Sequence, residues 1–238
     1  MQLSPGSRAA ESPRLPQLDR SRHAAPQVVD YLRDRIICLE LAPGTVLSRG
    51  DLAAQFGLSQ TPVRDALMRL AEEGLVDIFP QHKTVVSRID IRSAQQAHFL
   101  RRSIELEVVR TLAQTRDAGL VKQLRATIAQ QSALLEIHDY RQFVRTDQSF
   151  HRQMYEAANV ANLWDTVRRQ SGHIDRLRRL HLPAPGKAPE IIREHTRIVD
   201  AIARADPQSA ERRVREHLSG TMSRADAIRA RYPGYVTN

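Results

Sequence analysis

The chain has 238 residues, of which 41% are hydrophobic and 26% charged, with a formal net charge of +9 and one cysteine, Cys38. Such a composition can pack one large or two small cores, and no apolar run approaches the ~20 residues that a membrane span requires. A lone cysteine excludes an internal disulfide, the N-terminus has no apolar signal core, and the two together predict a reducing, cytoplasmic setting.

Residues 1–24, with Pro5, Pro13 and Pro16 among Ser, Gly and Arg, read as a flexible arm whose Arg14, Arg20 or Arg22 could reach a phosphate or a minor groove. A first helix is predicted from about Pro26 to Leu39, where Val28, Val29, Leu32, Ile36 and Leu39 recur at helical spacing. Pro43-Gly44 breaks it. A short helix near Asp51–Phe56 stops at Gly57, and Ser59 can cap the next, about Thr61–Glu73, with Pro62 in its first turn and Gly74 at its end. LVDIF and TVVSRI alternate or carry β-branched residues, with PQHK between them as a hairpin tip. Three helices and a hairpin make a winged helix-turn-helix over residues 25–90. That segment carries 7 basic and 9 acidic residues, so a DNA-binding case must rest on where single arginines fall.

From about Ile91 onward strand signals vanish. Helical periodicity is predicted over about 93–116, 119–137, 139–158, 162–181, 188–205 and 207–230. Residues 91–238, with 25 basic and 16 acidic residues, therefore read as an all-helical bundle whose interior can hold a site built from facing helices. The fold class is mainly α.

In a helix-turn-helix the second helix enters the major groove with its N-terminal residues on base edges. Here it begins SQTPVRDALMRL. Arg64 can offer a two-pronged donor to guanine, a pairing worth ~1–3 kcal/mol of discrimination, and Gln60 can pair with adenine. Thr61 and Arg49 are phosphate candidates, and His82 and Lys83 at the hairpin tip are candidates for the backbone or minor groove. The alternative makes Arg64 a surface partner of Asp65 or Asp51.

Asp147 and His151 sit four apart in a helical segment and so share one face, one turn apart. His195 and His217 each open or interrupt a further amphipathic run. One carboxylate and three imidazoles suit a divalent transition metal, with zinc first and nickel, cobalt, iron or manganese as alternatives. Acceptors that orient the imidazoles are expected but not identifiable from sequence. His173 and Arg176, on the 162–181 helix, are further pocket candidates. His138-Asp139 invites comparison with metal-dependent hydrolases that use such a pair, but Asp139 falls at a helix start and reads as its N-cap.

The segment LSRGDLAAQFGLSQTPVRDALMRLAEEGLVDIFPQHKTVVSRID closely resembles the DNA-binding domain of GntR-type regulators. LRRSIELEVVRTLA, DQSFHRQMYEAA, REHTRIVDAI and VREHL resemble the FCD ligand-binding domain of the FadR-like branch. The resemblance implies a homodimer on a short palindromic DNA operator. It implies a metal on Asp147, His151, His195 and His217, and a small carboxylate effector beside it, held by Arg101 or alternatively Arg102. Departures from the family pattern are Gln60 where an Arg precedes the Thr-Pro pair, Arg49 where an acid is common, and Lys83 at the wing tip in place of Gly.

The expectation is an effector-controlled, metal-containing transcriptional regulator, with repression the favoured mode. Its rivals are a metal-dependent hydrolase or decarboxylase using the same Asp/His set, and an architectural DNA binder with an inert bundle. No general base or nucleophile motif accompanies the four ligands in the sequence.

Overall fold

The computed structural model describes residues 18–238. Residues 18–23 form a turn pinned to the helix that follows, since Asp19 N–H donates to Gln27 Oε1 at 2.8 Å and Gln27 Nε2 donates to the Asp19 carbonyl at 2.9 Å. The predicted arm is therefore shorter at its C-terminal end, and Arg14 lies outside the described residues.

Helix α1 (Ala24–Ile37) is followed by β1 (Val46–Leu47), α2 (Arg49–Phe56), α3 (Gln60–Glu72), β2 (Val76–Phe79) and β3 (Lys83–Val86). Ser48 caps α2 by accepting from Asp51 N–H, and Gly57 ends it in the left-handed region at φ 64°. Ser59 holds the N-cap position of α3, but its hydroxyl makes no capping bond. Apolar positions of α1 and α3 meet in one core of Val28, Leu32, Ile36, Val63, Leu67 and Leu70, closed by Leu75, Val76 and Val86. Cutting one such leucine to alanine typically costs ~2–5 kcal/mol. β2 and β3 form the expected hairpin, pairing Val76 with Val86 and Phe79 with Lys83. Strand β1 joins the outer side of β3, Val46 opposite Val85. Two residues, one of them 59% exposed, show no alternation, which is why the sequence did not announce that strand.

Strand β4 (Ile89–Asp90) leads into α4 (Ile91–Thr115), capped by Asp90 through Arg92 N–H. Then come α5 (Ala118–Glu136), α6 (Tyr140–Ala157), α7 (Ala161–Gln170), α8 (Gly172–His181), α9 (Lys187–Ala203), α10 (Pro207–Met222), α11 (Ala225–Arg231) and β5 (Val236–Thr237). Asp139 caps α6 by accepting from Gln142 N–H, as read from the sequence. Three expectations are corrected. The predicted helix 162–181 is two helices, broken at Ser171. The predicted helix 207–230 is also two, broken at Ser223-Arg224. A strand does follow residue 91, because β5 pairs in parallel with β4, Ile89 opposite Val236. Helices α4, α5, α6, α9 and α10 enclose the main bundle core, with Leu112, Leu124, Phe150, Met154, Ile198, Val199, Ile202 and Val214 fully or almost fully buried.

The two parts interlock tightly at α8. A Cβ on Gly172 would lie 2.6 Å from Leu75 Cδ2, and one on Gly74 would lie 2.8 Å from His173 Nε2. Gly74, read as a helix stop, is thus also needed for close approach; its φ is 70°. Arg141 binds Asp34 at 2.6 Å and Glu40 at 2.9 Å, while Arg145 reaches Asp34 at 2.9 Å. Acids of the N-terminal part thus face arginines of the bundle. These side chains are a third to a half exposed, so each pair contributes only ~0–1 kcal/mol.

Candidate metal centre and DNA-reading face

Helix α6 supplies Asp147 and His151, α9 supplies His195 and α10 supplies His217. Both later histidines lie inside their helices rather than at helix starts, so their rings are fixed by rigid backbone. One ligand atom from each of the four residues falls within 4.8 Å of every other. His217 Nε2 is 3.2 Å from His151 Nε2 and 3.3 Å from His195 Nε2, and Asp147 Oδ1 is 3.5 Å from His195 Nε2. Nitrogens bound to one zinc at ~2.0–2.1 Å lie roughly 3–3.4 Å apart, so the spacing of the rings fits a shared ion.

The other nitrogen of each ring faces an oxygen. Glu105 Oε2 lies 2.9 Å from His151 Nδ1, Gln131 Oε1 lies 2.8 Å from His195 Nδ1, and Glu194 Oε2 lies 2.9 Å from His217 Nδ1. At His195 and His217 the acceptor at Nδ1 keeps the proton there and leaves the Nε2 lone pair free for a metal, whereas the Glu105 oxygen is close to His151 Nδ1 without hydrogen-bonding geometry. Phe150 stacks on His195 at 4.0 Å and fixes its ring plane. Burial, and then neighbouring charge, keep the imidazoles neutral. His195 falls to about 3 and His217 to about 4, and burial with Arg101 beside it holds His151 well below its usual value. Burial would raise the Asp147 carboxyl, but His195, His151 and His217 outweigh it and hold the group at about 2. Donor chemistry, spacing and ring orientation all fit a bound divalent ion.

Asp147 and His217 also line a cavity of about 60 Å³ between α6, α8, α9 and α10. Its other polar walls are Gln148, Asp175, Arg178, His181, Lys187 and Thr221, with Arg178 3.5 Å from Asp175, and Phe143, Leu182 and Ile191 are among its apolar walls. The cluster therefore borders a cavity that carries Arg178 and Lys187 beyond its own Asp147, with Asp175 as the one added carboxylate.

The four proposed effector residues stand elsewhere. Arg101 is buried behind His151, its Nε donating to Glu105 Oε1, while its Nη2 has no protein partner. Arg102 is half-buried beside His98, whose imidazole burial and Arg102 together push down to about 4. Neither lines the cavity. His173 and Arg176 do not line the cavity either. Helical geometry turns positions 172, 173 and 176 of α8 towards the winged helix-turn-helix, and 175, 178 and 182 towards the cavity. The fully buried Arg176 donates to the Ser87 carbonyl at 2.6 Å and to Ser87 Oγ at 3.1 Å. His173 Nδ1 accepts from Asp90 N–H at 2.9 Å.

Sequence reading missed Gln131, Glu194, Arg178, His181 and Lys187. Glu105 carried a signal, standing four residues after Arg101 on the same helix face. Gln131 carried none.

Arg49, Gln60, Arg64, His82 and Lys83 line one concave face of about 560 Å³ between α3 and the hairpin. Thr61 is exposed on the first turn of α3, just outside those walls. Three cations and no carboxylate line this face, although residues 25–90 as a whole are acidic. Arg64 is 59% exposed and meets Asp65 at 3.4 Å, a weak pairing that leaves its guanidinium accessible. Lys83 sits over the Phe79 ring at 5.8 Å and so remains at the hairpin end.

Residues 24–86 match the family described as bacterial regulatory proteins, gntR family, and residues 96–220 match the FCD domain. An HTH-type transcriptional regulator of Streptomyces ambofaciens, described as uncharacterized and lying in an unstable DNA locus, is 37% identical over 85% of each chain. The HTH-type transcriptional repressor RspR of Escherichia coli K12 is 30% identical, over 85% of this chain and 89% of RspR. The solved structure of E. coli McbR/YncC superimposes with a TM-score of 0.73 at 21% identity, covering 87% of this chain and 98% of McbR.

Proposed function

The chain belongs to the GntR family of bacterial transcriptional regulators, with an FCD domain behind its DNA-binding domain, and from that premise we propose a metal-containing repressor governed by a small organic acid. The family and the fold are those of regulators, not of enzymes. In this reading a homodimer places two α3 helices in successive major grooves of a palindromic operator, ~34–36 Å apart. Arg64 and Gln60 read base edges; Arg49, Thr61, His82 and Lys83 hold the backbone. RspR is named a repressor, which favours repression here.

The observation that carries the effector reading is a cavity beside the buried histidine cluster into which Arg178 and Lys187 bring positive charge next to Asp147 and His217. Asp147, His151, His195 and His217 would hold a divalent ion, zinc first, with nickel, cobalt, iron or manganese as alternatives. Bound there, the ion supplies a Lewis-acidic seat for a carboxylate oxygen. Arg178 offers its planar fork to the same anion, and Phe143, Leu182 and Ile191 exclude water from it. The buried Nη2 of Arg101 lacks a protein partner, which leaves one free donor behind the cluster although the charge itself is paired with Glu105.

Helix α8 joins the two activities. One face carries Arg178 and His181 into the cavity; the other fixes Gly172, His173 and Arg176 against Leu75, Gly74 and Ser87. Gly74 ends the reading helix and Ser87 follows the wing strand. An acid that favours one position of α8 therefore biases the spacing of the reading helices in the dimer. A coupling of ~1–3 kcal/mol changes operator affinity about 5–150-fold.

The test is metal analysis of untagged protein, followed by operator titration with and without a panel of small acids. About one equivalent of metal per chain and an acid-dependent shift in affinity are expected, with the shift lost in His195→Ala. Less than about half an equivalent, or no shift with any acid, overturns the reading.

A further inference from the structure

Two walls of the metal-side cavity belong to a second, larger depression. His181 and Lys187 line both the cavity of about 60 Å³ and a surface groove of about 500 Å³ bounded by the α8–α9 turn, the end of α10 and α11. Small-molecule sites usually run to ~300–1,000 Å³, so the inner cavity alone admits only a short acid, whereas the groove beside it is of ordinary size.

The groove is strongly cationic. Lys187, Arg193, Arg224 and Arg231 line it against one carboxylate, Glu190. Glu190 is already engaged, by Lys187 Nζ at 3.0 Å. Among the described residues none of the three arginines pairs with a carboxylate; Arg231 only rests on the Tyr232 ring at 5.5 Å. Exposed guanidinium forks without acidic partners are suited to carboxylate or phosphate oxygens.

Lys187 is not an ordinary surface lysine. It is 7% exposed, at the first position of α9, delivered there by Gly186 in the left-handed region at φ 79°. A Cβ on Gly220 would stand 2.9 Å from its Nζ, so glycine at 220 is what makes room for the ammonium. Burial, and then Lys187 beside it, push the His181 imidazole down, leaving a neutral ring next to a fixed cation at the partition.

We propose that this groove is the outer half of the effector site, so that the effector carries two separated anionic groups. One carboxylate reaches the metal ligands through the cavity. The second group, carboxylate or phosphate, is held by Lys187, Arg224 and Arg231, with the linking chain passing between His181 and Lys187. The inference rests on the reading of the inner cavity as the effector site.

Calorimetry on full-length, zinc-loaded protein tests it with butyrate, the dicarboxylates succinate, glutarate and adipate, and 3-phosphoglycerate. At least one two-anion acid should bind tenfold or more tightly than butyrate, and the dicarboxylate and phosphate arms show which outer group is preferred. The exposed double substitution Arg224→Ala/Arg231→Ala should remove that advantage while leaving butyrate affinity and zinc content unchanged. Gly220→Ala, which displaces the Lys187 ammonium, should weaken two-anion acids in the same direction. Equal binding of one- and two-anion acids, or an advantage that survives the double substitution, overturns the outer site alone. Failure of every acid to bind overturns the inner site, and the outer one with it.

Discussion

Glu105→Gln separates the energetics of the fold from those of the proposed metal centre. Glu105 is fully buried, with Oε1 receiving Arg101 Nε and Oε2 2.9 Å from His151 Nδ1. Glutamine keeps the shape but removes the charge. Arg101 is 6% exposed, and burial opposes its charge while Glu105 restores it. Leaving a buried ion without its partner typically costs ~3–5 kcal/mol, which for a chain of this size lowers the midpoint by roughly 2–4 °C per kcal/mol. The single oxygen that glutamine retains can face Arg101 or His151 but not both, and weakening the group beside a metal-binding ring typically lowers metal affinity ~10–100-fold. The double substitution Glu105→Gln/Arg101→Met, which removes the stranded cation, should restore most of the stability. Thermal unfolding of metal-free protein and competitive zinc titration measure the two effects. If Glu105→Gln leaves both unchanged, the buried chain Arg101–Glu105–His151 does not organise the site.

Arg64→Ala should weaken specific operator binding by ~1–3 kcal/mol, or about 5–150-fold, in a protein that stays folded; unchanged affinity in a mobility-shift titration removes Arg64 from base reading. Arg176→Met cuts the guanidinium that ties α8 to the Ser87 carbonyl and hydroxyl, so acid binding should persist while its effect on operator affinity falls. An undiminished effect would show that α8 does not carry the coupling. Metal-free protein should lose stability as pH falls below about 6.5. Unfolded imidazoles then take up protons, whereas His173, held at about 4 by burial and by Arg176, and His217, also near 4, stay neutral in the fold. Urea midpoints at pH 7.5 and 5 measure this, and equal midpoints would contradict it.

How legible the molecule was depends on the range of each signal. Asp147 and His151 are one turn apart on one helix, so spacing alone put them on one face. Helix ends at Gly57, Gly74 and Asp139 were equally local. The two-residue strands β1 and β5 were not legible, because their only reason to be extended is a partner 39 positions later (Val46 with Val85) or 147 earlier (Val236 with Ile89). That His173 and Arg176 face the winged helix-turn-helix was not legible either, because the angular setting of α8 depends on Gly172 packing against Leu75. Gln131 and Glu194 become meaningful only once α5, α9 and α10 are docked.

Charge shows the division most plainly. The sequence by itself determined that the DNA-binding segment is acidic overall and the bundle basic. Only the tertiary structure decided where those charges face. Asp34 and Glu40 pair with Arg141 and Arg145, while Arg49, Arg64 and Lys83 line a face without carboxylates. Net charge is a sum over residues, but a ligand meets only the potential of the surface before it, and that surface is made by packing.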